Sequence, residues 1–150
     1  MTMENEFVTY EQALALKELG FDEACICYYD IEDSYKLKPT PMKEEVNAFH
    51  FNSTSIMVAA PLKQQALRWF REKYNMLACV YSNASGFLYE YHDTIGGTHR
   101  FDSGFTGDCE YSGAFTSYEK AENACIDTLI SIAKQQNVSQ AEYDFIQSGS

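Results

Sequence analysis

The feature that most constrains the fold of this sequence is a long amphipathic segment over residues 118–136. Apolar residues recur in it at spacings of three and four, the period of an α-helix that buries one face. The stripe consists of Tyr118, Ala121, Cys125, Leu129 and Ile132. The opposite face carries Glu119, Glu122, Asp127 and Lys134. The pattern predicts a helix that packs one side on the rest of the chain.

Start signals for this helix and for two earlier ones are visible in the sequence. Thr9 and Gln12 have the spacing of a capping box, in which side chain and backbone bond reciprocally across the first turn. Thr116 and Glu119 repeat that spacing before the last helix. Pro61 suits the first turn of another helix, where its missing amide hydrogen has no partner to lose. We therefore expect helices at about residues 10–20, 61–74 and 117–136.

Segments rich in aromatic and branched residues lie between these helices and predict strands. The predicted strands are 24–29, 76–81 and 86–92, with a short edge strand near 110–115 and a further strand within 49–59. The fold class expected is α+β, with three helices packed on a mostly antiparallel sheet of about four strands.

The chain of 150 residues has the length of one domain, which we expect to span 1–150. Residues 30–48 contain Pro39 and Pro41 among alternating charges, which predicts a long loop. The tail after residue 138 is polar and is expected to be frayed.

The formal net charge of −11 is distributed unevenly. The first 35 residues carry nine acidic residues and one basic residue, whereas residues 36–75 carry seven basic and three acidic ones. An acidic surface opposes direct binding to a nucleic-acid backbone, because that binding needs cations to displace condensed counterions. The acidic residues either keep the protein soluble or imitate nucleic acid toward a basic partner.

The five cysteines do not form a metal-binding or secretory pattern. The sequence has no CxxC motif, and Cys25 and Cys27 alternate on a predicted strand, so their thiols face opposite sides of the sheet. The sequence shows neither a signal-peptide pattern nor an apolar run of membrane-spanning length. These features predict a cytoplasmic protein without a metal, a cofactor or a membrane segment.

Two of the three histidines flank a possible hairpin turn and are candidates for chemistry. Gly96-Gly97 is a credible two-residue turn, and in that register the side chains of His92 and His99 point to opposite faces. A four-residue loop would instead place the two histidines directly opposite each other. The pair is thus either a metal or acid–base site or two ordinary hairpin residues.

Basic and aromatic residues could together hold a small anionic ligand. An arginine of the second helix or of the hairpin would hold a phosphate, and tyrosines would stack on a base. The candidate ligand-binding residues are Arg68, Arg71, Arg100, His92, His99, Tyr89 and Tyr91. The alternative is an ordinary packing helix with its aromatic residues inward and its bases outward. No constellation of residues points to a particular reaction, so we do not expect an enzyme.

Three stretches of sequence carry a resemblance to a known group. They read TYEQALALKELGFDE, APLKQQALRWFREKYN and SYEKAENACIDTLISIAKQQ, in that order along the chain. They resemble small uncharacterised α+β proteins encoded by Bacteroides-type phages and prophages. That group has no established activity, so the resemblance implies only a context: a small accessory protein in the cytoplasm of a bacterial host.

Together these observations predict a non-catalytic, acidic phage or prophage accessory protein that binds a macromolecule of the host or the phage. A host or phage protein is the expected partner, since the net charge opposes direct nucleic-acid binding. The alternative function is binding of a small ligand, either a nucleotide or a signalling molecule. The oligomeric state is left open.

Overall fold

The first helix begins at the predicted capping box. A computed structural model describes residues 2–33, 36–40, 49–93, 102–103 and 114–149, and helix α1 spans Tyr10–Glu18. The Thr9 amide donates to Gln12 Oε1 at 2.9 Å, and the Gln12 amide donates to Thr9 Oγ1 at 3.2 Å. Gly20 follows the helix with φ of +92°, a conformation that glycine adopts without strain. Both ends of α1 therefore have local causes in the sequence.

Helix α2 spans Lys63–Tyr74 and buries an aromatic face. Ala66, Trp69 and Phe70 lie in the core, as the predicted packing helix requires. The helix ends at Asn75, which has φ of 59°, and asparagine tolerates this left-handed conformation better than most residues. The predicted start at residue 61 is two residues too early, because the chain is still extended at Leu62.

Helix α3 spans Tyr118–Ser148 and is longer than predicted. Its N-cap is Ser117 rather than Thr116, and the Ser117 hydroxyl accepts from the Lys120 amide at 3.2 Å. The predicted end at residue 136 and the frayed tail after 138 are both corrected. Residues 137–148 contain no glycine or proline, so the sequence offers no stop signal before Gly149.

A three-stranded antiparallel sheet forms in the first half of the chain. It contains β1 (Cys27–Asp30), β2 (Leu37–Pro39) and β3 (Met57–Ala59), in the order β2-β1-β3. Strand β2 lies inside the segment 30–48, for which the sequence predicts a loop. It pairs with β1, with Lys38 of β2 opposite Tyr28 of β1. This part of the loop prediction is wrong because strand pairing outweighs the weak strand propensity of Leu-Lys-Pro. Residues 34–35 and 41–48 of that segment lie outside the described residues.

A second antiparallel sheet follows α2, in the order β4-β5-β6. Its strands are β4 (Met76–Asn83), β5 (Gly86–Asp93) and β6 (Asp102–Ser103). Asn83 pairs with Gly86, which leaves a two-residue turn. A side chain at Gly86 would come within 2.8 Å of the Phe115 carbonyl oxygen, so only glycine fits there. The predicted Gly96-Gly97 turn and most of the predicted strand at 110–115 lie outside the described residues.

The α+β class, the three helices and the antiparallel pairing are confirmed. The described strands form two small sheets rather than one sheet of about four strands, with α2 between β3 and β4 in sequence. One hydrophobic core joins the helices and both sheets. Its largest fully buried side chains include Phe21, Phe70, Leu16, Met76 and Leu129.

A buried ion pair connects the start of α2 to α3. Lys63 Nζ lies 3.6 Å from Glu122 Oε1, and both side chains are almost fully buried. Gln64 Nε2 donates to the other carboxylate oxygen at 3.2 Å. Burial raises the pKa of Glu122, and the nearby Lys63 charge opposes that rise. The sequence placed Glu122 on the polar face of the helix, but the packing of α2 against α3 covers it.

Replacement of Glu122 by leucine is expected to destabilise the fold by about 3–5 kcal/mol, because the Lys63 charge would stay buried without a partner. The double variant Lys63→Met/Glu122→Leu should recover most of that loss. Urea denaturation measures the free energies of unfolding. The exposed pair of Lys134 and Glu18, 3.8 Å apart, provides the control, and Glu18→Gln should cost less than about 1 kcal/mol. Equal losses at the two pairs would contradict the prediction.

Candidate functional site

The arginines predicted to bind a ligand lie on α2. Arg68 is already engaged by carboxylates: its Nη2 lies 2.7 Å from Glu23 Oε1, and its Nε lies 4.0 Å from Glu72 Oε1. Arg71 is exposed in the last turn of the helix. Arg100 lies outside the described residues. Arg68 is thus near acidic neighbours that compete with an anionic ligand for it.

The tyrosines and histidines proposed for the same site lie on or beyond β5. Tyr89 is buried, and its hydroxyl lies 2.7 Å from Thr128 Oγ1 of α3. Tyr91 shares the face of Tyr89, whereas His92 lies on the opposite face of the strand. His99 is outside the described part of the chain. Arg68 and Tyr89 therefore make their contacts with different elements, one with Glu23 before β1 and the other with α3.

The end of helix α3, predicted to be a frayed tail, carries several exposed large apolar side chains. We call residues 137–148 the α3 end. The last buried residue of the helix is Ala133, and every residue from 134 to 149 is exposed. At 1.5 Å per residue the α3 end extends the helix by about 18 Å. At its base, Asn137 Nδ2 donates to the Tyr74 hydroxyl at 3.2 Å.

The α3 end is amphipathic, with an apolar stripe that does not face the core. Val138, Ala141 and Phe145 follow one another at helical spacing and line a shallow surface with Glu142 and Ile146. The exposed fraction reaches 78% for Phe145 and 67% for Ile146. Single exposed apolar residues are ordinary, whereas these side chains lie together on one surface of the helix.

The α3 end is also acidic. It contains Glu142 and Asp144, and no lysine, arginine or histidine follows Lys134. Asp144 Oδ1 accepts from Gln140 Nε2 at 2.8 Å, a contact one helical turn long that supports the helix. The site therefore combines apolar side chains with uncompensated negative charge.

The described structure contains little that resembles a cofactor or metal centre. In residues 2–33, 36–40, 49–93, 102–103 and 114–149, no three His, Cys, Asp or Glu side chains are placed to hold a metal ion. None of the helices in these ranges is long and apolar enough to cross a membrane.

Comparison with known proteins adds no family. No protein-family model matches the chain, and searches of curated proteins and of solved structures find no match. The resemblance of its motifs to phage and prophage proteins therefore stays a prediction.

The cysteines differ sharply in environment, and this bears on nucleophilic chemistry. Burial raises the pKa of Cys25 and of Cys125 to about 12, so neither thiol forms a thiolate near neutral pH. Cys79 is exposed, but burial of part of its surface and its contact with Glu90, 3.3 Å away, raise its pKa as well. Cys25 and Cys125 thus have the properties of packing residues, whereas Cys79 is accessible.

Iodoacetamide is expected to modify Cys79 in the folded protein and to leave Cys25 and Cys125 unmodified, because alkylation needs both access and thiolate. Peptide mass spectrometry at pH 8 measures the labelling of each residue. The same reaction in denaturant should label all three and serves as the control. Rapid labelling of Cys25 or Cys125 without denaturant would contradict this assignment.

Proposed function

We propose that this chain is a non-catalytic, acidic accessory protein of a phage or prophage that binds a basic protein of the host or the phage in the bacterial cytoplasm. The α3 end is the observation that carries the proposal. Its stripe of Val138, Ala141, Phe145 and Ile146 is ready to enter a groove on another protein. Amphipathic helices that bind in this way present anchors at helical spacing.

The energy of such a contact would come from the apolar stripe. Full burial of a large apolar side chain stabilises a complex by about 1.5–3 kcal/mol. Phe145 and Ile146 are the most exposed of the stripe, so they have the most surface to bury. Because the helix is already formed, little further ordering of its backbone would oppose binding.

The charge of the α3 end selects the kind of partner. Glu142 and Asp144 would meet lysine or arginine side chains at the rim of the groove, and the net charge of −11 would speed the encounter. A second copy of this chain fits less well, because two α3 ends would bring four carboxylates together with no base among them. The partner expected is therefore a different, basic protein.

The alternative function, binding of a nucleotide or signalling molecule by the predicted arginines and tyrosines, has weaker support. Arg68 is paired with Glu23 and Glu72, and the buried Tyr89 ring packs against α3. A base that stacked on Tyr89 would first have to displace that packing.

The double variant Phe145→Ser/Ile146→Ser is expected to weaken partner binding by at least about 30-fold, because anchor residues contribute about 2 kcal/mol or more. The partner is recovered from host lysate at low salt, identified, purified and titrated calorimetrically against each variant. Ile31→Ser, which removes an exposed apolar side chain elsewhere, is the matched control and should leave the affinity unchanged. Circular dichroism confirms that each variant keeps its helices.

Two outcomes would contradict this proposal. A purified partner that binds wild type and the double variant with equal affinity would remove the α3 end from the interface. If the wild-type protein forms a dimer and the double variant is a monomer, the α3 end binds a second copy of the chain instead.

The charge variant Glu142→Gln/Asp144→Asn is expected to lower the association rate and flatten its salt dependence, while the dissociation rate changes little. Surface plasmon resonance with the purified partner separates the two rates. Glu4→Gln/Glu11→Gln removes the same charge from exposed positions near the start of the chain and is the matched control. Equal slowing in both variants would show that net charge, rather than the α3 end, steers association.

A further inference from the structure

A second surface, separate from the α3 end, forms a concave site beside the first sheet. Its cavity has a volume of about 520 Å³ and lies between the outer face of β1 and β3 and the segment 49–54. Cavities that bind small molecules have volumes of about 300–1,000 Å³ and are mostly apolar. The residues that matter to the argument are Tyr28, Phe49, Phe51, Met57 and His50.

The walls of the cavity are held in place by side chains that bond to backbone. Lys17 Nζ donates to the carbonyl oxygens of Thr54 at 2.6 Å and Met57 at 2.9 Å. Asn52 bridges two elements: its Nδ2 donates to the Phe21 carbonyl and its Oδ1 accepts from the Ala59 amide, both at 2.8 Å. The cavity is therefore preformed, so a ligand would not have to order it.

Aromatic rings dominate the lining. The Tyr28 and Phe51 rings stack with centroids 4.6 Å apart and an interplanar angle of 25°. The Phe49 ring contacts Phe51 with centroids 5.9 Å apart, and 39% of Phe49 remains exposed. Met57 adds a polarisable thioether. A flat ring entering the cavity would extend this cluster by the stacked and edge contacts that aromatic pairs favour.

His50 supplies one directional polar group. Its Nδ1 lies 2.5 Å from the carbonyl oxygen of Asp22, which can only accept a hydrogen bond, so Nδ1 carries the proton. In the neutral ring Nε2 is then an acceptor. Among the described residues Nε2 has no hydrogen-bond partner. A ligand that forms a hydrogen bond with this acceptor must therefore carry a donor.

We propose that this cavity binds a small, uncharged, planar heteroaromatic molecule that carries an N–H donor. The ring of the ligand packs against Tyr28 and Phe49, and its N–H donates to Nε2 of His50. The proposal is independent of partner binding by the α3 end, and it uses none of the arginines of the predicted ligand site.

Indole is the probe, because it is an uncharged planar ring system with one N–H. In a titration followed by amide NMR it is expected to shift the signals of residues 49–57 saturably. 1-Methylindole has the same rings without the donor and should bind about threefold to tenfold more weakly, the value of one hydrogen bond. In the variant His50→Ala the two probes should bind equally.

The aromatic part of the site is tested by Phe49→Leu, which keeps an apolar side chain but removes the ring. It is expected to weaken indole binding by about threefold to tenfold, the value of one aromatic contact. Phe145→Leu makes the same change on the α3 end and is the matched control. Thermal melting verifies that each variant is folded.

Three results would overturn the proposal. Indole shifts that concentrate on the α3 end or fail to saturate would show binding to exposed apolar surface only. An unchanged indole affinity in Phe49→Leu would show that the Phe49 ring does not contribute to binding. Equal affinities of the wild-type protein for indole and 1-methylindole would remove the hydrogen bond to His50.

Discussion

The packing of the buried face of α3 is the constraint on which the rest of the structure depends. Small residues form part of this face, since Ala121, Cys125 and Ala133 are fully buried, and small side chains allow a helix to lie close to its neighbours. Helix α3 contacts α1, α2, β4 and β5, so it connects elements from both halves of the chain. Polar groups fix its position: Gln12 Nε2 of α1 donates to the Asn123 carbonyl at 3.1 Å and to Asp127 Oδ1 at 2.9 Å. Gln12 thus caps its own helix and binds α3 with the same amide group.

The same helix has two halves with different roles. Up to Ala133 its apolar stripe meets the core, and beyond that point the helix continues while the core does not. An isolated helix of a dozen residues is marginal in water, so the buried half supplies the nucleus from which the α3 end extends. Under the proposed function, this continuity would give a helix that is ordered before its partner arrives. The cost is an exposed apolar stripe, and the high negative charge of the chain opposes its self-association.

Features with a local cause could be predicted from the sequence, and features made by distant contacts could not. The capping box of Thr9 and Gln12 needs only four residues, and it forms as predicted. Strand β2 was missed because Leu37–Pro39 becomes a strand only by pairing with β1. The periodicity of apolar residues predicts which side chains of α3 share one face. It does not predict whether that face packs on the rest of this chain or stays exposed. The cavity beside His50 had no sequence signal, because Tyr28 and Phe51 are 23 positions apart and meet only in the fold.

The α3 end and the aromatic cavity differ in shape, and shape decides what each can recognise. A convex helix stripe has no walls, so it would gain affinity only from a partner large enough to surround it, as the proposed protein partner is. A concave site contacts its ligand on several sides, so a small molecule has enough surface to bind there. The two surfaces also differ in charge, because the α3 end carries two carboxylates and the cavity offers a hydrogen-bond acceptor. Glu142 and Asp144 would attract a basic surface from a distance, whereas a hydrogen bond to His50 Nε2 would act only at contact. The two surfaces therefore suit different classes of ligand, and occupation of one leaves the contacts of the other intact.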